Sequence, residues 1–429
     1  MRHAPIDASL FISHRQQLKD LMVPRSLAVV NANDVLPTNA DGSLPMQPNA
    51  DLFYLSGIEQ EESILLLAPD AADERQREIL FVREPNELLK TWEGHKVSKD
   101  EATNISGVRT VKWLADFRSV FHQLMCEMEH VYLNTNEHKR SSNEVPTRDE
   151  RFIQSCQQRY PLHSYHRLAR LMHRLRVVKS PAEIELLKQA IDITAKGFER
   201  VAKFVKPGVM EHEVEAEFAH EFTRRRGKFA YNPIIAAGKN SCILHYNEND
   251  KECQAGDVLL LDVAAGYANY NADLTRTIPI SGRFTQRQKD VYNAVLRVMR
   301  ASIAGAVVGK LPKKWLQESQ AMMTQELLAL GLIKPEDIEK ATDPDEPACR
   351  KYFMHGLGHP LGLAVHDVGF TTEPMAAGWV LTVEPGIYIP EENFGVRLEN
   401  DILVTEHGPV DLMGHIPVEV DDIEALMRG

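Results

Sequence analysis

The stretch 257-DVLLLDVAAGYANYNADLTRTIPI-280 predicts two apolar strands that each carry one aspartate. An apolar run leads to Asp262, a glycine-containing bend follows, and polar and apolar residues then alternate from Asp273 onward. Such a pattern is typical of an antiparallel hairpin. If its centre lies between Tyr267 and Ala268, Asp262 faces Asp273 with the Cβ atoms about 4.5–5.5 Å apart. The two carboxylates would then repel each other among leucine side chains.

A second hairpin is predicted in 379-WVLTVEPGIYIPEENFGVRLENDILVT-405. One strand ends at Glu384, and the other carries Glu399. Their midpoint falls between Glu391 and Glu392, so Glu384 and Glu399 are expected to be cross-strand neighbours, although the proline after Glu384 weakens that register. Taken alone, either acid pair is explained as well by carboxylates at strand ends that contact solvent.

Two acid pairs in apolar strands predict four carboxylates around one buried site. Burying isolated charges costs several kcal/mol for each ion unless a counter-charge compensates them. A pair of divalent metal ions would supply that compensation. The two hairpins together therefore indicate a dinuclear metal site.

The stretch 355-HGLGHPLGLAVHDVG-369 supplies three histidines, His355, His359 and His366. Its closely spaced glycines and proline exclude a helix, so it is not a helix-borne zinc motif of the H-E-x-x-H kind. A lone histidine would more often be a structural residue, but three of them beside two acid hairpins favour one as a metal ligand. Oxygen-rich ligation with one imidazole suits manganese, and cobalt, iron or zinc are alternatives.

The composition is that of a soluble globular protein of two or three domains: 429 residues, 43% hydrophobic and 26% charged. A net charge of −12 argues against a binder of nucleic acid or of anionic membranes. The five cysteines form no CxxC pair, which is typical of reduced thiols. No apolar run approaches the roughly 18 residues needed to span a bilayer. We expect a cytoplasmic protein.

The first 170 or so residues alternate helical and strand patterns, which predicts a small α/β domain with a mixed sheet. A boundary is indicated at 179-KSPAEIELL-187, where Ser180 can cap a helix, Pro181 suits its first position and Glu183 completes a capping box. Beyond it we expect strands near 258–265, 270–280, 379–384 and 396–405, and helices near 211–226, 287–308 and 313–330.

Four more motifs precede these stretches along the chain: NADLFYLSGIEQEESILLL, TWEGHKVS, KSPAEIELLKQA and CILHYNEND. Taken in order with those of the three stretches above, they resemble aminopeptidase P, a family of pita-bread metallopeptidases. The resemblance spans essentially the whole chain. It implies an α+β fold, in which a pita-bread catalytic domain (173–429) follows a smaller α/β N-terminal domain with a mixed sheet (1–172). It also implies release of the N-terminal residue from peptides whose second residue is proline.

The resemblance further implies five ligands for two divalent metal ions, usually manganese: Asp262, Asp273, His359, Glu384 and Glu399. Asp273 and Glu399 would bridge the metals, and the substrate site would be lined by His245, His355, His366 and Arg397. A hydroxide formed by the metals would attack the carbonyl before proline. Glu384 would accept its proton and His366 would donate a hydrogen bond.

Several alternatives stay open. The segment HGLGHPLG looks like that of prolidase, an Xaa-Pro dipeptidase of the same fold, and some relatives keep the fold only as a non-catalytic peptide-binding module. Arg397 could instead pair with Glu399 or Asp401, and His245 could be a core histidine. Family members are commonly dimers or tetramers, so a homo-oligomer is expected. Trp92 fits a core aromatic better than a subunit contact or the substrate entrance.

Overall fold

The computed structural model describes residues 3–138, 141 and 144–428. They form two compact units, His3–Arg176 and a second that begins at Val177. The predicted domain boundary at 172/173 falls inside a helix, Leu168–Val177, that ends at this division. Within the described residues, no helix is both long enough and apolar enough to cross a membrane.

The first unit is built on one six-stranded sheet. Its strands are β1 Ser26–Asn31, β2 Ile64–Leu67, β3 Glu78–Val82, β4 Thr110–Trp113, β5 His130–Leu133 and β6 Ser164–Arg167. They are ordered β4-β3-β2-β1-β5-β6, and neighbours pair antiparallel in β1–β2 and β2–β3 and parallel in β3–β4, β1–β5 and β5–β6. The predicted mixed sheet is thus confirmed.

Helices connect these strands, and β1 is buried at every position. The helices are α1 Ala8–Leu21, α2 Ala50–Ser56, α3 Glu87–Glu93, α4 Lys99–Ser106, α5 Phe117–Glu127, α6 Arg148–Arg159 and α7 Leu168–Val177. The prediction of Trp92 as a core aromatic is wrong. Its helix α3 has no buried residue, and Trp92 is 77% exposed.

The second unit begins with the predicted capping box. The Ser180 side chain accepts the N–H of Glu183, the Glu183 carboxylate accepts that of Ser180, and Pro181 is the first residue of α8, Pro181–Phe204. Helix α9, Glu211–Arg224, packs closely on α8 at Gly197. The remaining helices are α10 Gln286–Gly305, α11 Pro312–Ala329, α12 Pro335–Lys340 and α13 Val420–Arg428.

The strands described in this unit are short. They are β7 Lys228–Phe229, β8 Ile234–Ala237, β9 Val258–Asp262, β10 Ala265–Tyr267, β11 Tyr270–Asn271, β12 Thr275–Pro279, β13 Val380–Val383, β14 Gly386–Ile389, β15 Phe394–Arg397, β16 Asn400–Thr405 and β17 Gly408–Asp411. They form four small sheets, ordered β11-β10-β7, β12-β9-β8, β13-β16-β17 and β14-β15, with antiparallel pairing throughout. Both predicted hairpins are present, but each of their long strands is interrupted where an acid occurs.

Candidate metal centre

The first hairpin forms, but its predicted register is wrong by two residues. Asp262 pairs with Thr275, and Tyr267 pairs with Tyr270. The turn therefore consists of Ala268 and Asn269, which have φ values of 50° and 63°. Two consecutive left-handed residues make the tight turn that matches the twist of a hairpin, and Gly266 lies inside β10 instead.

A shift of two residues leaves both aspartates on the same face, because side chains alternate with a period of two. Their carboxylates meet at Tyr231. Its hydroxyl lies 2.6 Å from Oδ1 of Asp262 and 2.7 Å from Oδ1 of Asp273, within reach of either as a donor. Burial and these carboxylates raise the pKa of Tyr231 well above its ordinary value. Tyr231 lies outside both hairpins, so their sequence patterns do not predict it.

The second hairpin has the predicted centre. Val383 pairs with Asn400 and Gly386 with Arg397, so the register on both sides of Glu384 and Glu399 is the expected one. Neither acid belongs to a strand. The backbone N–H of Glu384 instead donates to Leu357 O (2.8 Å).

Glu399 joins the two hairpins. Its backbone N–H donates to the Thr275 carbonyl (3.1 Å), and the Thr275 hydroxyl donates to Oε2 of Glu399 (2.6 Å). Arg276 is fully buried beside them and donates to the Glu399 carbonyl (2.7 Å). Asp401 accepts the backbone N–H of Asp273 (3.1 Å). These polar contacts of Thr275, Arg276 and Asp401 were not foreseen, because each partner is distant in sequence.

The histidine segment is not helical, and it brings His359 to the acids. Nε2 of His359 lies 3.4 Å from Asp273 Oδ2 and 3.7 Å from Glu384 Oε1. Ligand atoms of Asp273, His359 and Glu399 all lie within 4.8 Å of one another, close enough to share a metal ion. The exposed His366 ring stacks on His359 with centroids 4.0 Å apart.

The electrostatics of the cluster favour a bound cation. Burial is the main reason that the pKa values of Asp262, Glu384 and Glu399 are raised, and neighbouring carboxylates add to the effect. Burial alone would lower the pKa of His359, but Asp273 and Glu384 raise it to about 9. Divalent cations favour ionised carboxylates and a neutral imidazole, so they would reverse these shifts. The residues present therefore fit a metal centre.

Arg397 forms its ion pair with Asp262 rather than with the predicted alternatives Glu399 or Asp401. Its Nη2 lies 2.5 Å from Oδ2 of Asp262, and its Nη1 donates to the Tyr388 hydroxyl at 2.9 Å. Arg397 is 3% exposed and Asp262 is partly buried, so the pair is largely shielded from solvent. The guanidinium therefore neutralises part of the acidic cluster.

His355 extends this hydrogen-bond chain. Burial, and next the charge of Arg397, lower the pKa of His355 to about 3, so the ring is neutral. Its Nδ1 contacts the Gly356 carbonyl (2.8 Å), which leaves Nε2 to accept from the Tyr388 hydroxyl (2.7 Å). His245 is exposed, which argues against the core-histidine alternative. It lies near enough to His355 for its charge to contribute to the lowered pKa of that ring.

Comparisons with known proteins cover both units. Residues 185–406 match metallopeptidase family M24, and residues 11–132 match the aminopeptidase P N-terminal domain. The chain is 33% identical to the Xaa-Pro aminopeptidase of Haemophilus influenzae over 97% of each chain. It resembles zinc-substituted aminopeptidase P of Escherichia coli in complex with product (TM-score 0.87, 32% identity, 99% of both chains). Aminopeptidase PepP of Pseudomonas aeruginosa is similar too (TM-score 0.88, 30% identity, 99% of this chain and 98% of that one).

Proposed function

Because the chain belongs to metallopeptidase family M24, we propose that five of its side chains hold two divalent metal ions. The five are Asp262, Asp273, His359, Glu384 and Glu399. The chain is an Xaa-Pro aminopeptidase, and its α+β fold is the predicted pita-bread domain preceded by a smaller α/β domain. The prediction of an enzyme rather than a non-catalytic binding module is confirmed.

The observation that carries the proposal is the convergence of Asp273, His359 and Glu399 within 4.8 Å, at the point where the two hairpins and the histidine segment meet. Asp273 and Glu399 would each help to hold both ions, since Asp273 also lies beside Asp262 and contacts His359. Bound divalent metals lower the pKa of water and polarise the scissile carbonyl. Manganese is the proposed metal because the donors are mostly carboxylate oxygens.

The side chains around this centre have separate tasks. Glu384 lies beside His359 and is partly exposed, so it is placed to accept the proton of the attacking water. His366 is exposed and stacked on His359, so it can donate a hydrogen bond to the substrate carbonyl as negative charge develops there. Neutral His355 accepts a hydrogen bond from the Tyr388 hydroxyl, whose oxygen in turn accepts one from Arg397, and this chain of hydrogen bonds fixes all three orientations.

The proposed substrates are peptides with proline in the second position. The free N-terminal amine would bind beside the acidic cluster, which limits cleavage to one residue. His245 is proposed to line the substrate site near His355. We also propose that the enzyme works in the cytoplasm as a homo-oligomer, with the metal centre in the domain 173–429. The five cysteines are all free thiols, as a reducing compartment would require.

The substrate length is tested by hydrolysis of Ala-Pro-Ala and of Ala-Pro by metal-stripped protein resupplied with manganese. Release of alanine from the tripeptide at a higher kcat/KM is expected for an Xaa-Pro aminopeptidase. Preference for the dipeptide would instead identify a prolidase, the alternative that the segment HGLGHPLG favours.

The ligand assignment is tested with Asp273→Ala and Glu399→Ala. Each removes a proposed bridge, so each is expected to abolish activity and to lower the bound metal below two ions per chain. His245→Ala is the comparison, because it alters the substrate site and should retain both ions. Either alanine variant with full activity and two bound metals would refute the assignment.

A further inference from the structure

The segment His359–Asp367, here called the histidine loop, is attached to the edge of β13 by its first residues. The Leu361 N–H donates to Val380 O (3.0 Å), and the Thr382 N–H donates to His359 O (2.9 Å). These two bonds form an antiparallel β-bridge between Pro360 and Leu381, which holds the backbone beside His359. Residues 362–366 then leave the sheet through a series of bends.

The loop closes on itself at Asp367. Its backbone N–H donates to Pro360 O (2.9 Å), which brings the end of the loop back to its beginning. This closure places His366 over His359, with the two rings 24° from parallel. The side chain of Asp367 forms a further contact at this end of the loop, so it too bears on the position of His366.

A buried ion pair holds the side chain of Asp367. Oδ2 of Asp367 lies 3.4 Å from Nζ of Lys179, and each side chain is 1% exposed. Gly362 covers the pair so closely that an added Cβ would lie 2.3 Å from Oδ2 of Asp367 and 3.0 Å from Cε of Lys179. The glycine in the loop is therefore explained by the ion pair beneath it.

Lys179 is itself immobilised. Its backbone N–H donates to Gly378 O (2.8 Å), and the preceding Val178 forms a β-bridge with Trp379. The next residue, Ser180, caps α8. The ammonium group is thus carried by a segment fixed between a long helix and the start of β13, while the loop that it holds has no regular structure of its own.

A buried ion pair is a poor source of net stability, because desolvation offsets most of the attraction, and apolar replacements are often neutral or stabilising. Its directional contact can instead specify one arrangement. We propose that Lys179 and Asp367 are positioning residues that fix His366 against His359 for catalysis. The proposal rests on the proposed function, in which His359 binds metal and His366 contacts the substrate.

The test compares Lys179→Met, Asp367→Leu and the double variant in the full-length, manganese-loaded enzyme. Each single variant leaves one buried charge unpaired and should lower the melting temperature. The double variant should recover the melting temperature, because both charges are gone. Its kcat for Ala-Pro-Ala should nevertheless stay about 100-fold below that of the wild type, since small misplacements of reacting groups cost rates of this order. KM and the metal content should change little.

Lys289→Met/Glu424→Leu is the matched control. It removes a lysine–glutamate pair (2.8 Å) that joins α10 and α13 and has no part in the histidine loop, so kcat should stay unchanged. Asp367→Asn provides a near-isosteric variant should the leucine variants not fold, and the same loss of kcat is expected.

Wild-type kcat in the folded double variant, or in Asp367→Asn, would overturn the positioning role. Loss of metal from either variant at saturating manganese would also overturn it, because the pair would then serve metal retention. Failure of the proposed function is recognised separately: the wild type would not cleave Ala-Pro-Ala, or Asp273→Ala would remain active.

Discussion

At the scale of single residues, Tyr231 is the contact that connects the two aspartates of the first hairpin. Partners that orient metal ligands typically contribute about 10–100-fold to metal affinity. We therefore expect Tyr231→Phe to weaken manganese binding by about that factor, with most of kcat retained at saturating metal. Competition with a fluorescent chelator measures the affinity. Unchanged affinity would mean that the aspartates are oriented without the hydroxyl.

Asp149, in the first unit, should make the protein less stable as the pH rises, whereas most carboxylates with a lowered pKa do the opposite. Burial raises its pKa to about 6, although Asn31 donates a hydrogen bond to its carboxylate. The folded state then binds a proton that the unfolded state has released, so this residue lowers stability as pH rises from about 4 to about 6. Asp149→Asn should be more stable than the wild type by about 3 kcal/mol at pH 7.

Urea unfolding at pH 7 and at pH 4.5 measures the effect, and the advantage of Asp149→Asn should shrink at the lower pH. Asp7→Asn provides a comparison at an exposed carboxylate whose pKa is lowered by the N–H of Ser9, so its effect should have the opposite sign. An equal advantage of Asp149→Asn at both pH values would show that the carboxylate is not protonated in the folded state.

The acids and histidines of the site could be found in the sequence because they interrupt apolar strands or occur in a segment too rich in glycine for a helix. Tyr231, Thr275 and Asp401 could not. Tyr231 lies between strands, and a polar residue on a strand, such as Thr275 or Asp401, predicts only that its face is accessible or that a partner exists. The partners of all three are 31 to 128 residues away. Such pairings are consequences of the fold, which a local pattern does not contain.

At the scale of elements, the packing of α8 on α9 depends on Gly197. An added Cβ would lie 2.6 Å from Phe222 and 2.9 Å from Phe218, closer than real Cβ atoms come. Gly197→Ala should therefore destabilise the protein by about 1–3 kcal/mol through overpacking, although alanine is the better helix former. The melting temperature measures this.

Gly305→Ala, at the end of α10, is the matched control. There the nearest atom to an added Cβ is Cδ1 of Trp315 at 3.5 Å, an ordinary contact, so the substitution should be neutral or slightly stabilising. A stabilised Gly197→Ala would show that the two helices can separate at low cost.

The hairpins show which part of an element can be predicted. The predicted register of the second hairpin is correct, because its acids are symmetric about the centre of the connecting loop. The predicted register of the first is wrong, because it puts Gly266 in the bend, whereas Ala268 and Asn269 take the left-handed conformations. Alanine rarely adopts that conformation, so its presence in the turn has no sequence signal.

At the scale of the whole molecule, the proposed ligands come from three separate stretches of the second unit. Metal binding should therefore stabilise that unit against unfolding, by about 4 kcal/mol at a free metal concentration 1,000 times Kd. Calorimetry of the metal-free and manganese-loaded enzyme measures the shift. Asp273→Ala should show a much smaller one, and an equal shift in that variant would place the stabilising metal elsewhere.

The domain order could be predicted from the motifs, and the capping box marked the first long helix of the second unit. Several short strands, among them β4, β6 and β14, were not predicted. Each has four residues, and a run of that length carries too little periodicity to stand out. Their positions are set by pairing with β3, β5 and β15.

The tight turn at Ala268 and Asn269 has a consequence for how the gene can change in length. Partners across a hairpin point to the same side, so Asp262 and Asp273 stay on one face only while the pairing of their strands is kept. Insertions or deletions of two residues at the tip can keep both that pairing and a two-residue turn, whereas a change of one residue keeps the pairing only with a turn of a different length. Lineages of this enzyme that retain the two-residue turn should therefore differ in length here by even numbers.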